Sequence, residues 1–161
     1  MTRAFIALGS NLGDRSATIA EALLLIDSTE GIDLVNVSSV IETEPVGPPG
    51  QGPYLNAVCE AGTVLSAREL LERLLSIEAA MGRDRSSGER WGARTLDLDV
   101  LLFGERVISE PGLEVPHPRL ADRLFVLEPL AEIAPAVLVP GLGRTVRELL
   151  DALLHASEDV V

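Results

Sequence analysis

The sequence predicts an α+β fold, a ferredoxin-like βαββαβ antiparallel sheet with helices on one face, followed by a C-terminal helical and loop extension. Three observations carry this expectation. Up to residue 104 the hydrophobic periodicities run strand, helix, strand, strand, helix, strand. The second helical stretch opens on a capping box, Ser66 with Glu69 three residues on. The strand that closes the unit alternates, with Leu96, Leu98, Val100 and Leu102 on one face and Asp97, Asp99, Leu101 and Phe103 on the other. The leucine face is expected to pack on the helices and the aspartate face to stay open.

Residues 3–9, RAFIALG, are short, apolar and ended by glycine, the pattern of a buried strand. SNLGDR is a turn broken at Gly13-Asp14, and Ala17 to Ile26 has helical spacing with Ser16 as N-cap. Residues 32–43 are β-rich but alternate imperfectly, which predicts a bulge or twist. PVGPPGQGP at 45–53 has four prolines and three glycines in nine residues and must be loop. Tyr54 to Val64 resumes as strand, with Tyr54 and Asn56 on one face. The capped helix then runs from Ser66 to a stop at Met81-Gly82. Beyond residue 105, Arg119 to Glu132 is helical but interrupted by Pro129, 135–143 is loop with a short apolar piece, and Val146 to Leu154 is a last amphipathic helix. No composition break calls for a second domain, so residues 1–161 are expected to form one.

Composition narrows the function. A chain of 161 residues buries enough surface to fold without disulfides, and its single cysteine, Cys59, fits a reducing cytoplasm. No apolar run approaches the roughly 18 residues that span a bilayer. The formal charge of −12 argues against a general nucleic-acid binder. It also isolates the stretch 83–94, where Arg83, Arg85, Arg90 and Arg94 surround the only tryptophan, Trp91. Directly after it, Asp97 and Asp99 point the same way from one strand. Paired carboxylates repel unless positive charge lies between them, and arginine or Mg²⁺ would supply it. Arginine forks, a carboxylate pair and a loop expected to be mobile together suggest a polyphosphate site. Leu-Asp alternation is also the pattern of a half-solvated strand edge, and a face with Tyr54 and Asn56 is as common on exposed sheets as in heterocycle sites.

The motifs then converge. ALGSNLGD at 7–14, T-x-P-x-G followed by P-Y-L-N-A across 43–57, IEAAMGRDR at 77–85, RWGARTLDLDVLLFG at 90–104, VPHPRL at 115–120 and R-x-F-V-L-x-P-L-x-E-I-A-P at 123–135 resemble, in order, the 6-hydroxymethyl-7,8-dihydropterin pyrophosphokinase family of folate biosynthesis. The resemblance implies transfer of a diphosphate from ATP to the hydroxymethyl group of the pterin, with AMP released. It implies two Mg²⁺ ions bound through Asp97 and Asp99. It gives Thr43, Pro45, Val46, Tyr54 and Asn56 to the pterin site, with Phe125 stacking opposite Tyr54 and Trp91 closing over both substrates. It gives Glu78, Arg85, Arg94, Val100, His117 and Arg123 to the nucleotide site. Arg83 and Arg94 become the loop arginines that assist the chemistry.

Departures from the family pattern fall at Ser86, where some relatives carry a basic residue, and at Pro118, where some carry an aromatic. Gly112 and Glu114 stand where Arg or Thr contact the nucleotide in others, so no ATP contact is assigned to them. The partners implied are ATP and the pterin, with no nucleic acid, no membrane and no obligate protein partner. The competing readings are a non-catalytic ferredoxin-like small-ligand module, and a simple kinase that would yield ADP.

Overall fold

The central strand is β1, Thr2–Ser10, and its sequence explains why. Ala4, Phe5, Ile6 and Leu8 are all buried, so both faces of this strand are covered. It pairs antiparallel with β4, Tyr54–Thr63, on one side and with β5, Asp97–Phe103, on the other. The computed structural model describes residues 1–11, 14–43, 54–82 and 96–158. Beyond β4 lies β2, Ile32–Val37, and β3, Ile41–Thr43, also pairs with β4. The sheet order is β2-β4-β1-β5, so β5 is an end strand.

Helices α1, Arg15–Ser28, and α2, Ala67–Gly82, cover one face. Ile19, Ala22 and Ile26 of α1 and Leu70, Leu74 and Ile77 of α2 pack with Ala4, Ile6, Leu8, Leu98 and Val100 of the sheet. The cap of α1 is Asp14 rather than Ser16. Asp14 has a non-helical backbone and its Oδ1 accepts the Ala17 N–H at 3.1 Å, which places Ser16 inside the first turn. The capping box of α2 forms as expected: Ser66 Oγ accepts the Glu69 N–H at 3.1 Å and Glu69 Oε1 accepts the Ser66 N–H at 2.9 Å.

The alternation expected along β5 fails at its end. Phe5 pairs with Leu102 but Ile6 pairs with Val100, which leaves Leu101 as an extra residue. This bulge reverses the faces beyond it. Leu102 therefore joins Phe5 and Val58 on the far side of the sheet, while Phe103 takes the helix side with Ala4 and Ile6. The irregularity expected in 32–43 is present as a register shift between Leu34 and Asn36 in β2.

Nor are the helices confined to one face. Helices α3, Leu124–Ile133, and α4, Val146–Glu158, lie on the other, where Val126, Leu127, Leu130, Leu149 and Leu150 pack with Phe5, Val58, Leu101 and Leu102. Pro129 sits within α3 without ending it. Between the helices the tail forms small hairpins, β6, Ile108–Glu110, with β7, Leu113–Val115, and β8, Leu138–Val139, with β9, Arg144–Thr145. These strands are two or three residues long, too short to leave a periodic trace in the sequence. No helix among the described residues is long and apolar enough to cross a membrane. Cys59 is buried in the core and desolvation pushes its thiol up to about 12, so it carries no thiolate at neutral pH.

Candidate active site at the open end of the sheet

Helix α3 covers only part of its face, and sheet register explains what the remainder exposes. Gly9 of β1 lies between Asn56 of β4 and Asp97 of β5, and Ala7 lies between Val58 and Asp99. Two small residues in the middle strand leave a trough between an amide-bearing strand and a carboxylate-bearing one. A Cβ built on Gly9 would stand 3.3 Å from Asn56 Oδ1 and 4.0 Å from the Tyr54 ring, so a side chain there would fill the trough. The result is a cavity of about 440 Å³ floored by Ala7 and Gly9.

One wall of the cavity carries Thr43, Tyr54 and Asn56. Asn56 Nδ2 donates to Thr43 Oγ1 at 2.6 Å, which orients the amide while Asn56 is 8% exposed. The opposite wall is the start of α3 and the turn before it, Leu120–Asp122, which bring Arg119, Asp122, Arg123 and Phe125 to the cavity. The Arg123 guanidinium carbon lies 5.5 Å from the Phe125 ring centroid, a cation–π contact. Asp97, half-buried, and Asp99, exposed, close the third side. A cavity of this size with two aromatics, one oriented amide and convergent charges has the make-up of a small-molecule site.

A second cavity, of about 300 Å³, adjoins the first, and Asp99 and His117 line both. Leu71 of α2, Val100 of β5 and Leu113 give it an apolar side, while Glu110, Gly112, Glu114 and Pro118 form the other. Arg68 Nη2 donates to Glu110 Oε1 and to the Pro111 carbonyl, both at 2.9 Å, and so ties this hairpin to the start of α2.

His117 is held at the junction by hydrogen bonds to the backbone. Its own N–H donates to the Leu101 carbonyl at 2.9 Å, at the β5 bulge. The Arg119 N–H donates to His117 Nδ1 at 3.1 Å. Nδ1 is thereby an acceptor, so the proton of the neutral ring sits on Nε2. Burial lowers the His117 pKa below the ordinary histidine value, partly opposed by the Asp99 carboxylate and helped by Arg123 and Arg119. The ring is therefore neutral at pH 7.

Of the residues the sequence singled out, Thr43, Tyr54, Asn56, Asp97, Asp99, His117, Arg123 and Phe125 meet in the first cavity, and Val100 lies in the second. Glu78 lines neither of these cavities; its Oε2 accepts the Leu98 N–H at 2.6 Å. Pro45, Val46, Arg83, Arg85, Trp91 and Arg94 lie outside the described residues, as does the loop 83–94 expected to be mobile. Sequence reasoning passed over Arg119 and Asp122, although RLADR repeats an arginine at helical spacing beside His117. It also left aside Gly112 and Glu114, which the β6–β7 hairpin carries to the second cavity.

Residues 5–135 match the family model of 7,8-dihydro-6-hydroxymethylpterin-pyrophosphokinase, HPPK. The chain belongs to this family. Among curated relatives, the chain is similar to the 2-amino-4-hydroxy-6-hydroxymethyldihydropteridine pyrophosphokinase of Bacillus subtilis, 48% identical over 83% of this chain and 79% of that protein. Those of Methylorubrum extorquens and Pseudomonas aeruginosa are 45% and 43% identical and cover 95% and 93% of this chain and 94% and 91% of their own lengths. Among solved structures, Plasmodium falciparum HPPK-DHPS superposes with a TM-score of 0.79 at 15% identity, over 98% of this chain and 45% of that one. The chain thus spans less than half of that longer protein, and at such identity the likeness is one of fold. The HPPK match agrees with the two adjoining cavities, since its named reaction joins two substrates.

Proposed function

We propose that this HPPK chain transfers a diphosphate from ATP to the hydroxymethyl group of 6-hydroxymethyl-7,8-dihydropterin in folate biosynthesis. The pterin hydroxymethyl oxygen forms a bond to the β-phosphorus, the bond from that phosphorus to the α-phosphate oxygen breaks, AMP leaves and the hydroxyl proton is released. The observation that carries this reading is the junction itself: a carboxylate and a neutral imidazole shared by an aromatic, amide-bearing cavity and a neighbouring one with apolar and acidic walls.

The residues divide the work. Tyr54 and Phe125 hold the pterin plane from two sides, and Asn56, oriented by Thr43, hydrogen-bonds the polar edge of the ring. The nucleoside end of ATP fits the second cavity, where Glu110 and Glu114 would repel phosphates but not a base or ribose. That leaves the triphosphate at the junction. There His117 donates Nε2–H to a phosphate oxygen, and Arg123 adds positive charge from the start of α3. Pro45, Val46 and Trp91 are assigned to the pterin, and Arg83, Arg85 and Arg94 to the phosphates. With reactants aligned, most of the rate enhancement comes from positioning and charge.

The carboxylate pair suits Mg²⁺. Asp97 and Asp99 offer oxygen donors only, and among the described residues no group of three or more metal-ligating side chains forms an all-protein cage. Mg²⁺ is commonly bound by one or two carboxylates and completes its shell with phosphate oxygens and water. Two such ions, held by Asp97 and Asp99, would neutralise the phosphates and polarise the β-phosphorus.

Residues 2–103 run β1-α1-β2-β3-β4-α2-β5, and because β2 and β3 both pair with β4, the sheet order β2-β4-β1-β5 supports a ferredoxin-like classification of this unit. We read residues 1–161 as one pyrophosphokinase domain acting in the cytoplasm on small molecules. The test is nucleotide product analysis with ATP, Mg²⁺ and the reduced pterin. AMP with pterin diphosphate is the expected outcome. ADP with pterin monophosphate would mean a simple kinase, and no turnover would favour a binding module.

A further inference from the structure

We propose that Glu78 is a positioning residue that holds the Asp97–Asp99 pair in place through the backbone between them. The inference rests on the reading of that pair as the metal-binding carboxylates. Strand β5 ends the sheet, so β1 supports only one of its edges. On its other edge the Leu98 N–H donates to Glu78 Oε2 at 2.6 Å, a short hydrogen bond. Leu98 is the residue between the two aspartates, and its side chain is 3% exposed in the core against α2. The peptide that sets the spacing of the carboxylates is therefore fixed by a hydrogen bond and by packing, both from the same helix.

Such a strap has work to do here. Two like charges on one face of an edge strand repel, and the chain departs from regular pairing at Leu101, two residues past Asp99. Glu78 follows Ile77, which is buried in the core and anchors this part of α2 to the sheet. Glu78 lines neither cavity, while the residues it straps, Asp97 and Asp99, do. For the hold on Leu98 what matters is an acceptor at this reach rather than the charge that carries it.

That distinction gives the test. Glu78→Gln keeps an acceptor at the same length and removes the charge. Glu78→Asp keeps the charge and withdraws the acceptor by one methylene. Two measurements apply to the whole chain: exchange of the Leu98 amide proton by NMR in metal-free protein, and Mn²⁺ binding by electron paramagnetic resonance with α,β-methylene-ATP present. Glu78→Asp and Glu78→Ala should speed Leu98 exchange and weaken Mn²⁺ binding by about tenfold or more, as loss of groups that orient metal ligands does. Glu78→Gln should stay within about threefold of wild type in both. The reverse order, with Gln impaired and Asp normal, would make the charge the active element and overturn the proposal. Unchanged Mn²⁺ affinity in both Glu78→Asp and Glu78→Ala would overturn it too, leaving Glu78 a merely structural contact. Should Glu78→Ala not fold, the Gln and Asp variants carry the comparison alone. Normal Mn²⁺ binding in Asp97→Ala and Asp99→Ala would instead overturn the reading of the pair itself, a separate result.

Discussion

The two faces of the sheet are built from the same strands to different ends. The face under α1 and α2 is closed by branched aliphatics whose spacing follows one period after another, and Leu70, Leu74, Ile6 and Ile26 are fully or almost fully buried there. The face under α3 and α4 is closed at one end by Phe5, Val58 and Leu102 and open at the other, where Ala7 and Gly9 offer no side chain to fill it. Polar groups gather where packing stops. The comparison teaches that the site is a place where the core has been left unfinished, and that substitutions on the two faces should fail in different ways.

The largest effect is expected on the open face. Asp97→Ala and Asp99→Ala should each lower turnover about a thousandfold, roughly 4 kcal/mol of transition-state stabilisation. The unfolding midpoint of Asp99→Ala should match or exceed that of wild type, because an exposed like charge is removed. Steady-state kinetics and thermal melts check the pair, and near-normal turnover would reject the metal role. On the closed face, Leu74→Ala should cost about 3 kcal/mol of stability by leaving a cavity in the core, with KM for both substrates unchanged per folded molecule. A fall in chemical rate without a fall in denaturant midpoint would break the distinction between the faces.

Smaller effects separate the cavities from each other. Tyr54→Ala and Phe125→Ala should weaken pterin binding by about 2 kcal/mol, the scale of losing one side of an aromatic stack, with little change for ATP. Calorimetric titration of each ligand reads this directly, and equal losses for both would mean general damage. Gly9→Ala should weaken pterin binding by about 1 kcal/mol, because its Cβ meets the Asn56 side-chain oxygen Oδ1 across the trough and only a few tenths of an ångström must give. ATP affinity should again hold.

How far the sequence could be read follows the same division. The closed face is periodic, so its elements, the capping box at Ser66 and Glu69, and the leucines of β5 up to Val100 were visible in the pattern. The bulge at Leu101 was not, since a single extra residue has no signature when its neighbours, Val100 and Leu102, are also aliphatic. Ser16 reads as the cap because it precedes the apolar run, whereas Asp14 accepts the Ala17 N–H and starts the helix earlier. The site was legible in its residue types, Asp97, Asp99, Tyr54 and Asn56, but not in its walls. Arg119, Asp122 and Glu114 reach the cavities through a one-turn 3-10 helix and a three-residue strand, elements too short to carry periodicity.

The most direct measurement is a crystal structure of the chain with α,β-methylene-ATP, Mg²⁺ and the hydroxymethyl-dihydropterin. The pterin ring should lie between Tyr54 and Phe125 with its polar edge on Asn56, the nucleoside should occupy the cavity of Leu71, Val100 and Glu114, and metal should sit on Asp97 and Asp99 at the junction. Nucleoside bound against Tyr54 and Phe125, or metal bound away from the two aspartates, would contradict that arrangement.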